Sequence, residues 1–448
     1  MSVSAANTFH RGVHPDEFKA MSSGIRSREL PLPEEVFIPL QQHIGAPCEA
    51  LVQKGDTVKT GQKIADSQAF VSSPVHASIT GVVRAVAAFP HPLGGRVPMI
   101  HIVREGEADE WELLERPESW EAASVETLKH IVREAGIVGL GGAAFPTHVK
   151  MSPPEDKHVD HFILNGCECE PFLTCDHRSM LEETDNILTG MSIIMKMLKI
   201  DKGIIGIENN KQDAVDVMQS RVDALQLGFK VQPLKVKYPQ GAEKMLIAAA
   251  LGRKVPTGGL PMDVGVVVNN IATAQAVYNA VVNGKPLIQR MLTVAGDAVA
   301  EPGNLTVRVG TSFKTCIDAC GGLKSETAEV FMGGPMMGLS QYDLNVPTLK
   351  ATSGIVCLES SQLKKVKQYP CIQCGRCVGA CPMNLVPTRL ARFAETAQYD
   401  ACNEWGVFNC VECGSCAFVC PSGIPLVQWI RVGKVKVTEK QNKVKAEA

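Results

Sequence analysis

Two cysteine runs of identical spacing constrain this chain more than anything else in it: Cys371-x2-Cys374-x2-Cys377-x3-Cys381-Pro382 and Cys410-x2-Cys413-x2-Cys416-x3-Cys420-Pro421. The pattern C-x2-C-x2-C-x3-C-P, used twice, holds a pair of [4Fe-4S] clusters. Three cysteines so close together cannot reach all four corners of one cube, so the fourth of each run crosses to the other cluster. The expected ligand sets are Cys371, Cys374, Cys377 and Cys420 for one cluster, and Cys410, Cys413, Cys416 and Cys381 for the second. Structural zinc uses paired C-x2-C knuckles and leaves the third cysteine and the Cys-Pro end unexplained.

Met1 to Asn7 has neither the basic start nor the apolar core of a secretory leader, so a reducing compartment is expected and disulfides are not. The other eight cysteines (Cys48, Cys167, Cys169, Cys175, Cys316, Cys320, Cys357 and Cys402) show no ligand pattern and read mostly as small buried hydrophobes. The C-x-C-x5-C spacing of Cys167, Cys169 and Cys175 fits no common cluster.

At 448 residues the chain is too long for one core, and its texture changes along its length. A net charge of -2 argues against nucleic acid as a partner. The longest apolar stretch, Ile187 to Ile200, is interrupted by Thr189, Gly190, Ser192 and two lysines. Membrane contact, if made, is therefore expected to be peripheral.

Short alternating strands with turn signals open the chain. Ala50 to Ala65, with Gly55-Asp56 and Gly61-Gln62, is followed by Ser73 to Val83. The pattern resembles a lipoyl or biotinyl carrier fold of the barrel-sandwich type. Its hairpin tip reads Ala69-Phe-Val-Ser-Ser73, without the lysine that a carrier modifies. A docking or packing module is expected.

From Ser124 the chain alternates helix and strand. Ser124 suits the N-cap of a helix over Val125 to Ala135, closed by Gly136. The glycine-rich segment Gly139-Leu-Gly141-Gly142-Ala-Ala-Phe145-Pro146-Thr-His-Val-Lys150 follows a helix, unlike the dinucleotide fingerprint, yet its backbone can close on an anion. A buried strand, Phe162-Ile-Leu164, runs into Asn165-Gly-Cys167-Glu168-Cys169-Glu170. Strands over Gly203 to Ile207 and Lys230 to Val236 precede Tyr238-Pro-Gln-Gly241-Ala-Glu243, and Gly265 to Val268 ends in Asn269-Asn270-Ile-Ala-Thr273. Polar loops at strand ends and helix starts are where α/β folds bind phosphates and ring systems.

In this order the four motifs resemble the FMN- and NADH-binding flavoprotein subunit of respiratory complex I. With the carrier-like domain in front, the cluster domain behind and Phe9-His-Arg-Gly-Val-His14-Pro15 at the start, the chain is similar over residues 8 to 430 to the C subunits of Rnf electron transport complexes. That family exchanges electrons between ferredoxin and NAD and couples the exchange to ion transport.

The resemblance implies two [4Fe-4S] clusters, non-covalent FMN, and NAD(H) as substrate. It also implies partner subunits that include a ferredoxin-like one, at the cytoplasmic face of a bacterial inner membrane. By it, Gly139, Gly141, Gly142 and Lys150 hold the FMN phosphate and ribityl chain, and Asn165, Glu168, Asn269, Asn270 and Thr273 line the flavin. Glu170, Tyr238, Gly241 and Glu243 frame the nicotinamide side, with Phe145 offering an aromatic face. Leu140 stands where complex I has arginine, and Cys167 and Cys169 where it has Asp and Gly. Soluble cobalamin reductases share these modules without the carrier-like domain in front, and a relay that has lost its flavin is the other alternative.

The resulting fold is multidomain α/β and α+β. It comprises a lipoyl-like barrel-sandwich domain (1–115), a Rossmann-like FMN/NADH domain (116–285), a β-grasp domain of the SLBB type (286–345), a connector (346–369) with Lys364, Lys365 and Lys367 on its surface, a mostly helical double-cluster domain (370–430) and a basic tail (431–448). Val386 to about Trp405 is expected to be helical. The tail, with six basic and two acidic residues, is expected to be a disordered end.

Overall fold

The structure is a computed structural model and describes residues 7–324, 329–359 and 367–447. In the first domain, a four-stranded antiparallel sheet orders Glu35–Pro39, Arg96–Val103, Gly81–Pro90 and Thr57–Val58. A three-stranded sheet of Glu49–Ala50, Lys63–Asp66 and Val75–His76 stands beside it. Alternation along these strands sends Val36, Ile38, Ile64, Val75, Val83, Ile100 and Ile102 into one core.

The hairpin tip packs onto the next domain. His148 Nε2 donates to the Phe70 carbonyl at 3.0 Å, and the two rings meet edge to face. Arg133 binds Asp66 at 2.8 Å, and Lys63 pairs with Glu134.

That next domain holds a parallel four-stranded sheet ordered Lys230–Leu234, Gly203–Glu208, His161–Gly166, Val266–Asn270, which is 3-2-1-4 in chain order. Apolar Ile and Val strands covered by helices on their faces are what a parallel sheet requires. Chain order reverses between His161–Gly166 and Val266–Asn270, and the crevice at such a switch point is where open α/β sheets bind ligands. The helix Val125–Glu134 forms as its sequence predicts, with Ser124 Oγ accepting from Thr127 N.

The β-grasp sheet has six strands, ordered Arg28–Glu29, Gly303–Arg308, Gln289–Ala295, Gly354–Leu358, Glu329–Met332 and Leu339–Gln341. Two of these correct the sequence reading. Gly354–Leu358, assigned to the connector, is a wholly buried central strand; parallel to Gln289–Ala295 and antiparallel to Glu329–Met332, it fills the sheet between them. Arg28–Glu29, assigned to the first domain, pairs with Leu305 and Thr306 and carries the N-terminal segment across the molecule. Lys364 and Lys365 lie outside the described residues; Lys367 is exposed.

In the cluster domain the expected helical structure forms as two helices, Pro387–Glu395 and Tyr399–Glu404, with Ala397 between them in a left-handed conformation. The tail is not disordered: Leu426–Glu447 is one helix. Leu426, Val427, Ile430 and Val437 pack it against Leu390, Ala394, Cys402 and Val407, and that apolar face supplies the stability that the basic composition conceals. Among the described residues no helix is long and apolar enough to cross a membrane.

Candidate flavin crevice and cluster sites

The crevice is built at the switch point. The glycine segment returns on itself through Gly139 N donating to the Phe145 carbonyl at 2.8 Å, and is fixed to the neighbouring helix Ile271–Asn283 by Leu140 N donating to Thr273 Oγ1 at 2.9 Å. Gly141 has φ +74°, and a Cβ there would lie 2.8 Å from Asn270 Nδ2, so both conformation and space require glycine. Around Gly142 a Cβ would meet nothing within 4 Å.

Asn270 caps that helix by accepting from Ala272 N at 2.8 Å, and donates to Asp176 Oδ2 at 2.5 Å. Burial, with Glu168 beside it, raises the Asp176 carboxyl above the usual range. Lys150 Nζ donates to Glu243 Oε1 and to the Val268 carbonyl, both at 3.0 Å. Asn165 Nδ2 donates to the Gly241 carbonyl at 2.8 Å. The two cysteines that replace the complex I residues flank Gly241: Cys167 is buried, and Cys169 Sγ accepts from Gly241 N at 3.3 Å. Burial pushes both thiols upward, so they stay protonated and apolar.

Hydrogen bonds link Leu140 to Thr273, Lys150 to Glu243 and Asn165 to Gly241, whereas two of the expected carboxylates turn elsewhere. Glu168 turns back to accept from Asp176 N (2.6 Å) and His177 N (3.2 Å), at the start of helix Cys175–Glu182. The Glu170 carboxylate, expected at the nicotinamide, accepts from Tyr238 OH (3.2 Å), Met336 N (3.2 Å) and Met337 N (2.9 Å). It thereby joins the flavin domain to the β-grasp loop. Glu168, Cys175 and Asp176 bring potential ligand atoms within 4.8 Å of one another, but hydrogen bonds already engage all three side chains, Cys175 through the Ser353 carbonyl.

Burial raises Glu170 to about 7, against the opposing hydrogen bonds. Its folded pKa lies above the unfolded value, so the folded chain holds the extra proton between about 4.5 and 7, and stability falls as pH rises through that window. Glu170→Gln is expected to abolish this slope, worth about 3 kcal/mol at one 1.36 kcal/mol step per pH unit. Denaturation midpoints at pH 5 and pH 8 check it; equal pH slopes in both proteins would refute it.

FMN fits these residues. Both amide atoms of Asn269, a residue only 3% exposed near the C-terminal end of strand Val266–Asn270, lack a hydrogen-bond partner in the protein. A buried amide so placed calls for a polar ligand. The open backbone at Gly142 and the capped N-terminus of Ile271–Asn283 supply the space and the dipole for a phosphate.

The two cysteine runs fold alike. Gln373 and Gly375 in the first, and Glu412 and Gly414 in the second, take left-handed conformations that curl the chain around its thiols. Backbone N–H groups of Gln373 and Glu412 donate to Cys371 and Cys410 Sγ at 3.4 and 3.3 Å. Cys381, Cys410, Cys413 and Cys416 line one small cavity, walled by Pro382, Leu390, Val427 and Ile430. Burial pushes the Cys416 thiol up, and Cys410, Cys413 and Cys381 add to the shift.

For the other set, burial raises Cys377, with Cys374 and Cys420 adding to it. Tyr369 N donates to the Ser422 carbonyl at 2.9 Å, tying the start of the first run to the end of the second. Thiols that burial keeps protonated give up their protons to a metal centre, so the crowding fits iron–sulfur ligation. Both Cys371 and Cys374 are exposed.

Lys19 and Lys211, both buried, hold the carbonyls of the 167–173 loop and escaped the sequence reading. Lys19 precedes the first strand of the barrel sheets, Glu35–Pro39, and is about 150 residues from the loop it serves.

The fold and these sites define a flavin and iron–sulfur electron-transfer protein. The model of the Nuo51 FMN-binding domain matches residues 132–279, that of the RnfC barrel sandwich hybrid domain 7–107, the SLBB domain 291–340 and the 4Fe-4S dicluster domain 370–424. The C subunit of the proton-translocating ferredoxin:NAD(+) oxidoreductase complex of Clostridium ljungdahlii is 50% identical over 428 residues, 95% of this chain and 93% of the relative. The C subunit of the Na(+)-translocating complex of Acetobacterium woodii is 44% identical over 97% of this chain and 98% of the relative. The C subunit of the ion-translocating oxidoreductase complex of Rhodobacter capsulatus is 41% identical over 96% and 83%.

The chain belongs to this family, the C subunits of ion-translocating ferredoxin:NAD(+) oxidoreductase complexes, and not to the cobalamin reductases. A solved NAD+-reducing [NiFe]-hydrogenase shares the fold, at a TM-score of 0.50 and 18% identity, over 70% of this chain and 64% of that one.

Proposed function

We propose that the chain is the peripheral, NADH-side subunit of a membrane-bound ion-translocating complex at the cytoplasmic face of a bacterial inner membrane. It exchanges electrons between NAD(H) and a ferredoxin-side partner subunit. The observation that carries this reading is a shared wall. Val13, Tyr238, Ala380 and Cys413 form one buried cluster with Cys169 and Met336 against it, so a cluster ligand packs on the residue that binds Glu170 in the crevice loop.

Gly139, Gly141, Gly142 and Lys150 hold the FMN phosphate and ribityl chain, and Asn165, Asn269, Asn270 and Thr273 shape the flavin's polar edge, with the Glu168 carboxylate behind them capping helix Cys175–Glu182. Phe145, Gly241 and Glu243 face the nicotinamide, while Glu170 and Tyr238 hold the wall toward the clusters. When bound, FMN supplies the exchange between a two-electron hydride and one-electron carriers. Hydride exchange needs no acid or base from the protein, so these side chains work by positioning and by excluding water. The Cys381, Cys410, Cys413 and Cys416 set lies on the crevice side, and the exposed Cys371 and Cys374 turn the other set outward to a partner.

Anaerobic purification, with flavin and iron measured per chain and absorbance recorded before and after NADH, tests this. About one FMN and eight irons, bleached by NADH, are expected. Eight irons without flavin would reduce the chain to a relay and move NADH oxidation elsewhere.

A further inference from the structure

The acidic loop of the crevice is held from behind by two cations. Lys19 Nζ donates to the carbonyl oxygens of Glu168 (2.9 Å), Glu170 (2.9 Å) and Leu173 (2.5 Å). Lys211 Nζ donates to the Cys167 carbonyl at 2.7 Å and to Asn210 Oδ1 at 2.9 Å. The two lysines are 8% and 1% exposed. Lysines so deep are ordinarily paired with carboxylates. Lys211 has Glu208 at 3.5 Å, but all three hydrogen bonds of Lys19 go to main-chain oxygens. Burial lowers the Lys19 pKa, while the Glu168 charge opposes that shift.

Such a placement is costly unless the loop needs it, and the loop does. Glu168 and Phe172 have φ of +47° and +70°, left-handed conformations that a non-glycine residue keeps only when its surroundings enforce them. Three carbonyl oxygens converging on one point repel each other unless a cation sits among them. An ammonium, with three N–H donors on a compact charge, matches that triangle; a planar guanidinium does not.

We propose that Lys19 and Lys211 are positioning residues of the flavin crevice. They fix the 167–173 backbone so that the Glu168 carboxylate caps helix Cys175–Glu182 and the Glu170 carboxylate meets Tyr238. Their charges also stabilise electrons added to a flavin in front of the loop. The N-terminal segment is thus part of the redox site although it precedes the first strand of the barrel sheets, Glu35–Pro39, in sequence. The proposal rests on the FMN reading above, and a wild-type chain without flavin would sink that reading before any variant is compared.

The test uses the full chain, purified anaerobically with its clusters and soaked with FMN, as wild type, Lys19→Met, Lys19→Arg and Lys211→Met. Iron per chain and circular dichroism report the fold; FMN affinity and the flavin midpoint potential are the readouts. Lys19→Met is expected to keep its iron, to bind FMN about tenfold more weakly or worse, and to shift the flavin potential to more negative values. Lys19→Arg keeps the charge and loses the triangle, so its affinity falls while its potential stays near that of the wild type. Lys211→Met shifts the potential in the same direction as Lys19→Met, and carries the test if Lys19→Met does not fold. Wild-type FMN affinity and potential in either methionine variant would overturn the proposal, as would equal potential shifts in Lys19→Met and Lys19→Arg.

Discussion

Replacing Cys413 by serine is expected to lower the iron of the purified chain from about eight to about four atoms and to stop electron transfer to a partner, while FMN binding persists. Serine nearly preserves the volume against Tyr238 and Met336, so the wall of the crevice stands. Its hydroxyl is a far weaker iron ligand than a thiolate, and the cavity lined by Cys381, Cys410 and Cys416 is left one ligand short. Cys374→Ser is the matching control. It also removes about four irons, but from the set whose Cys371 and Cys374 face solvent, and it leaves the crevice-side set intact.

NADH should therefore still reduce the remaining cluster in Cys374→Ser and should reduce none in Cys413→Ser. Electron paramagnetic resonance of the two NADH-treated variants reads the difference. The opposite pattern would reverse the order of the two sites along the chain's electron path; two intact cluster signals in Cys413→Ser would refute the ligand assignment itself.

How much of this was legible in the sequence differs from part to part. The cluster ligands were legible because a cube of fixed size dictates fixed spacings, and the spacing survives as text. The parallel sheet was legible because Phe162 to Leu164, Gly203 to Ile207 and Val266 to Val268 are short apolar runs between helical patterns. Gly354–Leu358 was not, because this buried run is not set between helical patterns as those are, and its partners come from strands about 20 to 60 residues earlier. The resemblance named Glu170 as a crevice residue, but only the fold reveals that Tyr238 and the Met336 and Met337 amides occupy its carboxylate. Lys19 was invisible for the same reason: its partners are main-chain oxygens, which leave no trace in residue identity.

Ending the chain after Ile430 is expected to cost the cluster on the crevice side, although it removes no ligand. Beyond that point the C-terminal helix supplies Val437, which is 3% exposed, and Gly433, where a Cβ would lie 3.2 Å from Ala394 Cβ and 3.4 Å from Cys402 Sγ. It also supplies Arg431 and Lys434. Arg431 Nε donates to Glu412 Oε2 at 2.9 Å; Lys434 Nζ donates to Glu412 Oε1 at 2.6 Å and to the Cys410 carbonyl at 2.7 Å.

Glu412 lies between Cys410 and Cys413 with φ +56°, so the two cations hold the bend that aims those thiols. Burying one valine contributes about 1.5–3 kcal/mol, and each charged hydrogen bond about the same. Losing all of them frees the second cysteine run at its centre. The truncated chain should hold about four irons rather than eight, whereas ending after Lys440 should leave the iron unchanged. Glu412→Lys in the full-length chain separates charge from packing: it keeps Val437 and Gly433 in place and sets three cations against each other beside Cys410. Iron loss in that variant assigns the effect to the clamp. Full iron in both Glu412→Lys and the chain ending at Ile430 would show that the cysteine runs hold their clusters without the helix.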